Sequence, residues 1–173
     1  MPRLLYGLEI LPLNQKQLDI LSRSHTKTLH TLQALPTRTA TCAVFLLLGA
    51  LPIDAEIHRR QLSFVHSILA CDNSTIQGLT DRQLIMNLDN PHSFFFKVAG
   101  TLTLYELPTI GQLKQHLPSK LTWKLTVKKA IQLYWTEFLL KEMQGKSTMH
   151  FMDQTTLKIG STHPIWTSLS SSF

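Results

Sequence analysis

From about Ser119 to Gln144 the chain carries one long helical pattern, and that pattern limits the architectures open to it. Trp123, Val127, Ala130, Ile131, Tyr134 and Phe138 fall within roughly 100° of arc when each residue advances by about 100°. Leu121, Leu125, Trp135 and Leu139 make a second apolar sector beside the first. A helix with two apolar sectors needs more than one neighbour to cover them, so it belongs in a multi-helix arrangement. Gly145 supplies the stop.

The rest of the chain reads as helix after helix. Asn14 with Gln17 resembles a capping pair ahead of a stripe at Leu18, Leu21, Leu29 and Leu32, and Pro36 ends that helix. Thr39 is placed to cap the apolar helix ATCAVFLLL, which Gly49 closes in a left-handed turn. Pro52 opens a third helix whose stripe is Ile53, Ile57, Phe64, Val65, Ile68 and Leu69, with Arg59 and Arg60 on the wetter side. Thr80 with Gln83 marks a short helix after the loop CDNST. Asn90-Pro91 opens FFFKVAGTLTLYEL, which stops before Pro108 and reads as helix or as strand. Thr109 with Gln112 marks one more short helix. The expected fold is all-α, an irregular bundle of six or seven helices with a poorly structured C-terminal tail. The expected boundaries are a helical region over 1–118, a long basic amphipathic helix over 119–145 and an irregular tail over 146–173. One continuous helical domain over 1–145 is the alternative.

Composition narrows the class. Hydrophobic residues make up 43% of the 173 and charged residues 16%, which excludes intrinsic disorder. So small a charged fraction leaves little polar surface to clothe a domain, so the chain is expected to pack against something else. Cys42 and Cys71 are too few for a disulfide framework and read as buried thiols in a reducing compartment. The start lacks a signal-peptide pattern, and the longest apolar run, Ala40 to Ile53, is shorter than the roughly 20 residues of a membrane span. The expectation is an intracellular chain, cytoplasmic or nuclear, with no membrane partner.

Catalytic chemistry finds little purchase. Of the eight histidines, His25 and His30 lie about 140° apart on a helix, and His58 and His66 are two turns apart, so neither pair chelates. The seven glycines are scattered, which excludes a nucleophile elbow or a phosphate-cradling loop. No catalytic, cofactor-binding or metal-binding residues are assigned. The basic residues say more. The formal net charge is +6, and the excess lies in residues 1–60 and 119–173. Lys120, Lys124 and Lys128 repeat every four residues, with Lys129 adjacent. They suit a phosphate backbone, with Trp123 or Trp135 as a stacking neighbour, or a solvated helix edge; the pattern alone favours the edge.

Four segments carry a family resemblance: LLYGLEILPLN, LPTRTATCAVFLLLGALPIDAEIHRRQLSFVHSIL, SKLTWKLTVKKAIQLYW and LKIGSTHPIW. In order, they place Tyr6, Gly7 and Glu9; Leu35, Pro36, Arg38 and Thr39; Leu48, Gly49, Pro52 and Ile53; Trp123 and Trp135; and Gly160, His163, Pro164 and Trp166. The chain resembles the region downstream of the polymerase domain in non-LTR (LINE-type) retrotransposon reverse transcriptases, its thumb and the linker after it. The resemblance implies contact with an RNA or DNA template–primer through its phosphates, at Arg38, Lys124, Lys128 and Lys129. It also implies a polymerase palm and a zinc segment of a parent polyprotein as neighbours. The palm's aspartates and Tyr-x-Asp-Asp turn are not in this sequence, and neither is the cysteine-rich zinc segment. The chain is therefore expected not to polymerise DNA. For Arg38, capping or pairing with an acidic residue is the competing role. For the whole chain, the competing expectation is a helical protein-interaction module or an inactive remnant.

Overall fold

The structure is a computed structural model that describes residues 7, 10, 13–36, 38–87, 89–146 and 153–166. Tyr6, Glu9, Thr37, His150 and the serine-rich end lie outside the described residues. Seven α-helices follow one another: α1 (Gln15–Leu32), α2 (Thr41–Leu48), α3 (Ile53–Leu69), α4 (Ser74–Met86), α5 (Phe94–Leu104), α6 (Ile110–Gln115) and α7 (Lys120–Gln144). A 3-10 turn at Gln154–Thr156 comes after them, and the described residues contain no strand. The fold is all-α, as the apolar periodicity predicts.

The helix boundaries follow local chemistry. At α6 the Thr109 side chain accepts from the Gln112 amide at 3.3 Å, and Gln112 Oε1 accepts from the Thr109 amide at 2.8 Å. This is the reciprocal cap expected from that pair. Gly49 ends α2 at φ 63°, also as expected. Other caps differ from expectation. Ala40, not Thr39, precedes α2, and it contributes no side-chain cap. Asn73 opens α4, accepting from the Thr75 and Ile76 amides, so the helix starts inside the segment read as a loop. Thr80 sits mid-helix instead, its hydroxyl donating to the Ile76 carbonyl. Ser93, not Asn90, caps α5, which settles residues 94–104 as helix. Helix α1 stops at Leu32, before Pro36, because Ala34 turns left-handed at φ 50° and the Leu35 amide reaches back to the His30 carbonyl. Glu106, at φ 54°, does the same after α5.

The chain divides into two compact units, and the division passes through α3 and α7. One unit comprises Glu56–Ala130 and the described residues up to Asn14; the other comprises Gln15–Ala55 and the described residues from Ile131 onward.

In the second unit the core is Leu29 of α1, Cys42–Leu46 of α2, and Leu139 and Met143 of α7, joined by Leu157 and Ile159. Part of the stretch expected as an irregular tail thus carries core residues. It also satisfies the end of α2, which has no basic residue in its last turn. The Gly160 amide donates to the Gly49 carbonyl at 2.8 Å, and the His163 amide donates to the Leu47 carbonyl at 2.9 Å. The Ile165 amide donates to His163 Nδ1, which leaves the proton on Nε2, facing the Thr156 hydroxyl at 3.0 Å. Burial pushes the Cys42 thiol above its ordinary pKa, and Glu142 adds to the effect, so the thiol stays protonated. Cys71 is only half-buried.

In the first unit Leu62 and Val65 of α3, Val98 and Leu102 of α5, Leu113 of α6, and Trp123 and Val127 of α7 are buried. Along α7 the buried positions are Trp123, Val127, Ile131, Leu139 and Met143. The expected second sector is only partly covered: Leu139 is buried and Trp135 half-buried, while Leu121 and Leu125 are exposed, as is Phe138 of the first.

Candidate nucleic-acid interface

The site is built by α3 and the first half of α7, both within the first unit. Trp123 fixes their pairing. Its indole is 2% exposed and its Nε1–H donates to the Leu62 carbonyl at 2.9 Å. The His66 ring stacks on it with centroids 6.2 Å apart and planes 20° from parallel. His66 Nε2 lies 2.8 Å from the Pro118 carbonyl. A carbonyl only accepts, so Nε2 carries the proton. One buried aromatic pair thus ties the start of α7 to the middle of α3.

Above this floor lies a groove of about 570 Å³. From α3 it is lined by Arg59, Arg60, Ser63 and Ser67, and from α7 by Lys120, Lys124 and Lys128. No acidic side chain is among the lining residues. Glu56 lies one turn back on α3 and pairs with Arg59 at 2.6 Å and Arg60 at 3.3 Å. Among the described residues, Lys120, Lys124, Lys128 and Lys129 have no ion-pair partner. Arg59 and Arg60, in contrast, share the Glu56 carboxylate. The Ser63 and Ser67 hydroxyls donate to carbonyls one turn back, Arg59 and Ser63 respectively, and turn their lone pairs outward.

The sequence-derived candidates distribute unevenly over this geometry. Lys124 and Lys128 line the groove; Lys129 is exposed on α7 and is not among the lining residues. Arg38 belongs to the second unit, exposed in the turn between α1 and α2, with no ion pair among the described residues. Its alternative role as a partner to an acidic side chain is not found there. Arg59 and Arg60, which periodicity places only on the wetter side of α3, complete the groove. Their pairing with the lysines spans some 60 residues of sequence, and no local signal marks it. Trp123 is correctly placed beside the lysines, but its faces are covered, so the expected stacking role is not available to it. Trp135 is half-buried in the second unit, edge-on to Tyr134 and Phe138.

Among the described residues no group of three or more His, Cys, Asp or Glu side chains comes together as a metal site. Among the described residues no single helix is long and apolar enough to cross a membrane. No protein-family model, curated protein or solved structure matches the chain.

Proposed function

We propose that this chain is a non-catalytic segment that contacts template–primer nucleic acid through its phosphate backbone, as its resemblance to the thumb and linker of a retrotransposon reverse transcriptase implies. The observation that carries the reading is the convergence of Lys120, Lys124, Lys128, Arg59 and Arg60 on one groove that no acidic residue lines. Cations arranged this way bind by displacing the counterions of a polyanion, which gives affinity without sequence preference. The sequence holds no Tyr-x-Asp-Asp turn to supply metal-binding carboxylates, so the role is to hold nucleic acid, not to extend it.

The test is fluorescence anisotropy of a labelled primer–template, titrated with the chain at several salt concentrations. Three unpaired lysines on phosphates give a logarithmic salt slope of about −2 to −3, depending on strand type. Replacing both Lys124 and Lys128 by Glu abolishes binding while leaving helical content unchanged, since both side chains are exposed. Binding indifferent to salt and to these changes refutes the reading. Templated extension in the presence of magnesium refutes the non-catalytic part.

A second reading, a helical protein-interaction module, is favoured by an apolar cleft of about 530 Å³ in the same unit. Leu84, Ile85, Phe95, Phe96, Leu102 and Ile110 line it, with Ile85 73% and Phe96 43% exposed. Concentration-dependent self-association that Ile85→Lys removes supports that reading.

A further inference from the structure

We infer, resting on the reading above, that Glu56 is a built-in competitor for the ligand of this groove. Its carboxylate withholds Arg59 and Arg60 from the nucleic acid, so that Lys120, Lys124 and Lys128 make the contacts and Glu56 sets how tightly the groove grips. The first support is connectivity. Arg59 and Arg60 follow Glu56 by three and four residues on α3, the two offsets that bring side chains together on a helix. Both guanidinium groups converge on one oxygen. Arg59 Nη2 donates to Glu56 Oε1 at 2.6 Å, and Arg60 Nε donates to the same atom at 3.3 Å. The three lysines of α7 have no ion-pair partner among the described residues. The groove thus has one wall of available cations and one wall of engaged cations.

Burial makes that difference matter. The Glu56 side chain is 20% exposed, against 26% for Arg60 and 47% for Arg59. A fully exposed ion pair yields to a competing anion at little cost, because water and salt re-solvate both charges. A carboxylate largely shut off from water does not. Moving the arginines onto phosphates leaves it without a counter-charge, beside a group of its own sign. Recruiting the arginines therefore costs more than recruiting the lysines.

Position completes the case. Glu56 is not among the lining residues, so phosphates can meet the lysines while the Glu56 bridges stay intact. Neutralising Glu56 frees two further cations on the opposite wall, each able to displace counterions from one more phosphate. A single carboxylate outside the groove thus sets how many phosphates are held inside it.

The experiment is a mutant cycle on the intact chain, read by anisotropy of the labelled primer–template across a salt series. It compares the native sequence, Glu56→Gln, the pair Arg59→Gln with Arg60→Gln, and all three changes together, with circular dichroism verifying each fold. Glu56→Gln should tighten binding about tenfold or more at about 0.1 M salt, with the gain fading towards about 1 M. It should also steepen the logarithmic salt slope by about 1.4 to 1.8, the share of two phosphates. With both arginines already replaced, the same change should leave the slope as it was. An equal gain in both backgrounds overturns the inference, because Glu56 then acts only as a nearby negative charge. Weaker or unchanged binding by Glu56→Gln overturns it too, because the carboxylate then positions the arginines for the nucleic acid or has no part in holding it. Each of these results leaves contact through the lysines in place. Absence of salt-sensitive binding by the native chain and Glu56→Gln alike refutes the proposed function itself.

Discussion

His58 links folding of the first unit to pH, with a size that can be worked out. It sits on α3, its Nδ1 2.8 Å from the Tyr105 hydroxyl and its ring edge-on to the tyrosine at 5.7 Å. Tyr105 is itself 4% exposed, and burial pushes His58 down to a pKa of about 4 from the ordinary 6.5. The native state therefore refuses a proton that the unfolded chain accepts between those values. Stability is fully present above pH 6.5 and is lost as pH falls towards 4. At pH 4.5 the loss comes to about 2.5 kcal/mol, at 1.36 kcal/mol per unit, against a total of about 5–15 for a typical domain. Asp54 acts in the opposite direction: burial raises its pKa, so the native state takes up its proton more readily near pH 4. A direct comparison isolates His58: urea unfolding of the native sequence and His58→Gln, each at pH 7.0 and 4.5, followed by circular dichroism and tryptophan fluorescence. Coincidence of the two probes establishes two-state behaviour. Glutamine retains an acceptor for the Tyr105 hydroxyl and does not titrate. The native chain should lose about 2.5 kcal/mol more than the variant between the two pH values. Equal losses would mean that His58 protonates within the folded state and that its surroundings are wet, which defeats the argument.

Backbone geometry gives two further expectations. Gly49→Ala should destabilise the second unit by about 3 kcal/mol or more in urea unfolding, because its φ is +63° and a Cβ there falls 2.6 Å from the Ser161 carbonyl carbon. Ala34→Gly and Glu106→Gly should each stabilise by about 1 kcal/mol in the same assay, because both residues hold the left-handed position at which helices ordinarily end on glycine. In the first unit, Trp123→Phe should cost about 1 kcal/mol of stability through loss of the hydrogen bond to Leu62. With the fold shown intact by circular dichroism, it should leave nucleic-acid affinity in anisotropy unchanged, whereas a stacking role predicts a large loss.

What was legible in the sequence is what short-range chemistry determines. The Thr109–Gln112 box, the Gly49 stop and the span of α3 from Pro52 all depend on residues within a turn of one another. The structure departs from expectation where two local signals compete. Asn73 lies in CDNST, a segment that also reads as a loop, yet asparagine ranks above threonine as a cap, and it prevailed over Thr80. Ala34 ended α1 before Pro36 because the Leu35 amide could reach the His30 carbonyl, a contact no propensity scale contains. The groove was half legible for the same reason. Lys124 and Lys128 are recognisable at helical spacing, but Arg59 and Arg60 join them only once Trp123 has docked on α3, a pairing that sequence periodicity does not encode.

The end of α2 shows how such long-range pairings arise from an unmet local need. Its apolar sequence buries Cys42–Leu46 in the second unit's core and places no cation in the last turn, so the terminal carbonyls have no side chain to turn to. Buried carbonyls without donors are costly, and water is excluded wherever a core surrounds the helix. The donors come from more than 110 residues away: Gly160 reaches Gly49, His163 reaches Leu47, and the Thr162 hydroxyl lies 3.5 Å from the Leu48 carbonyl. The close approach needs a residue without a side chain at 49, which is also the residue that the left-handed turn requires. Leu48-Gly49 and Gly160-x-x-His163, separate motifs in the sequence, are therefore two halves of one hydrogen-bonded joint. Substitutions on either side should share a single energetic penalty and not add, because losing one half already releases the other.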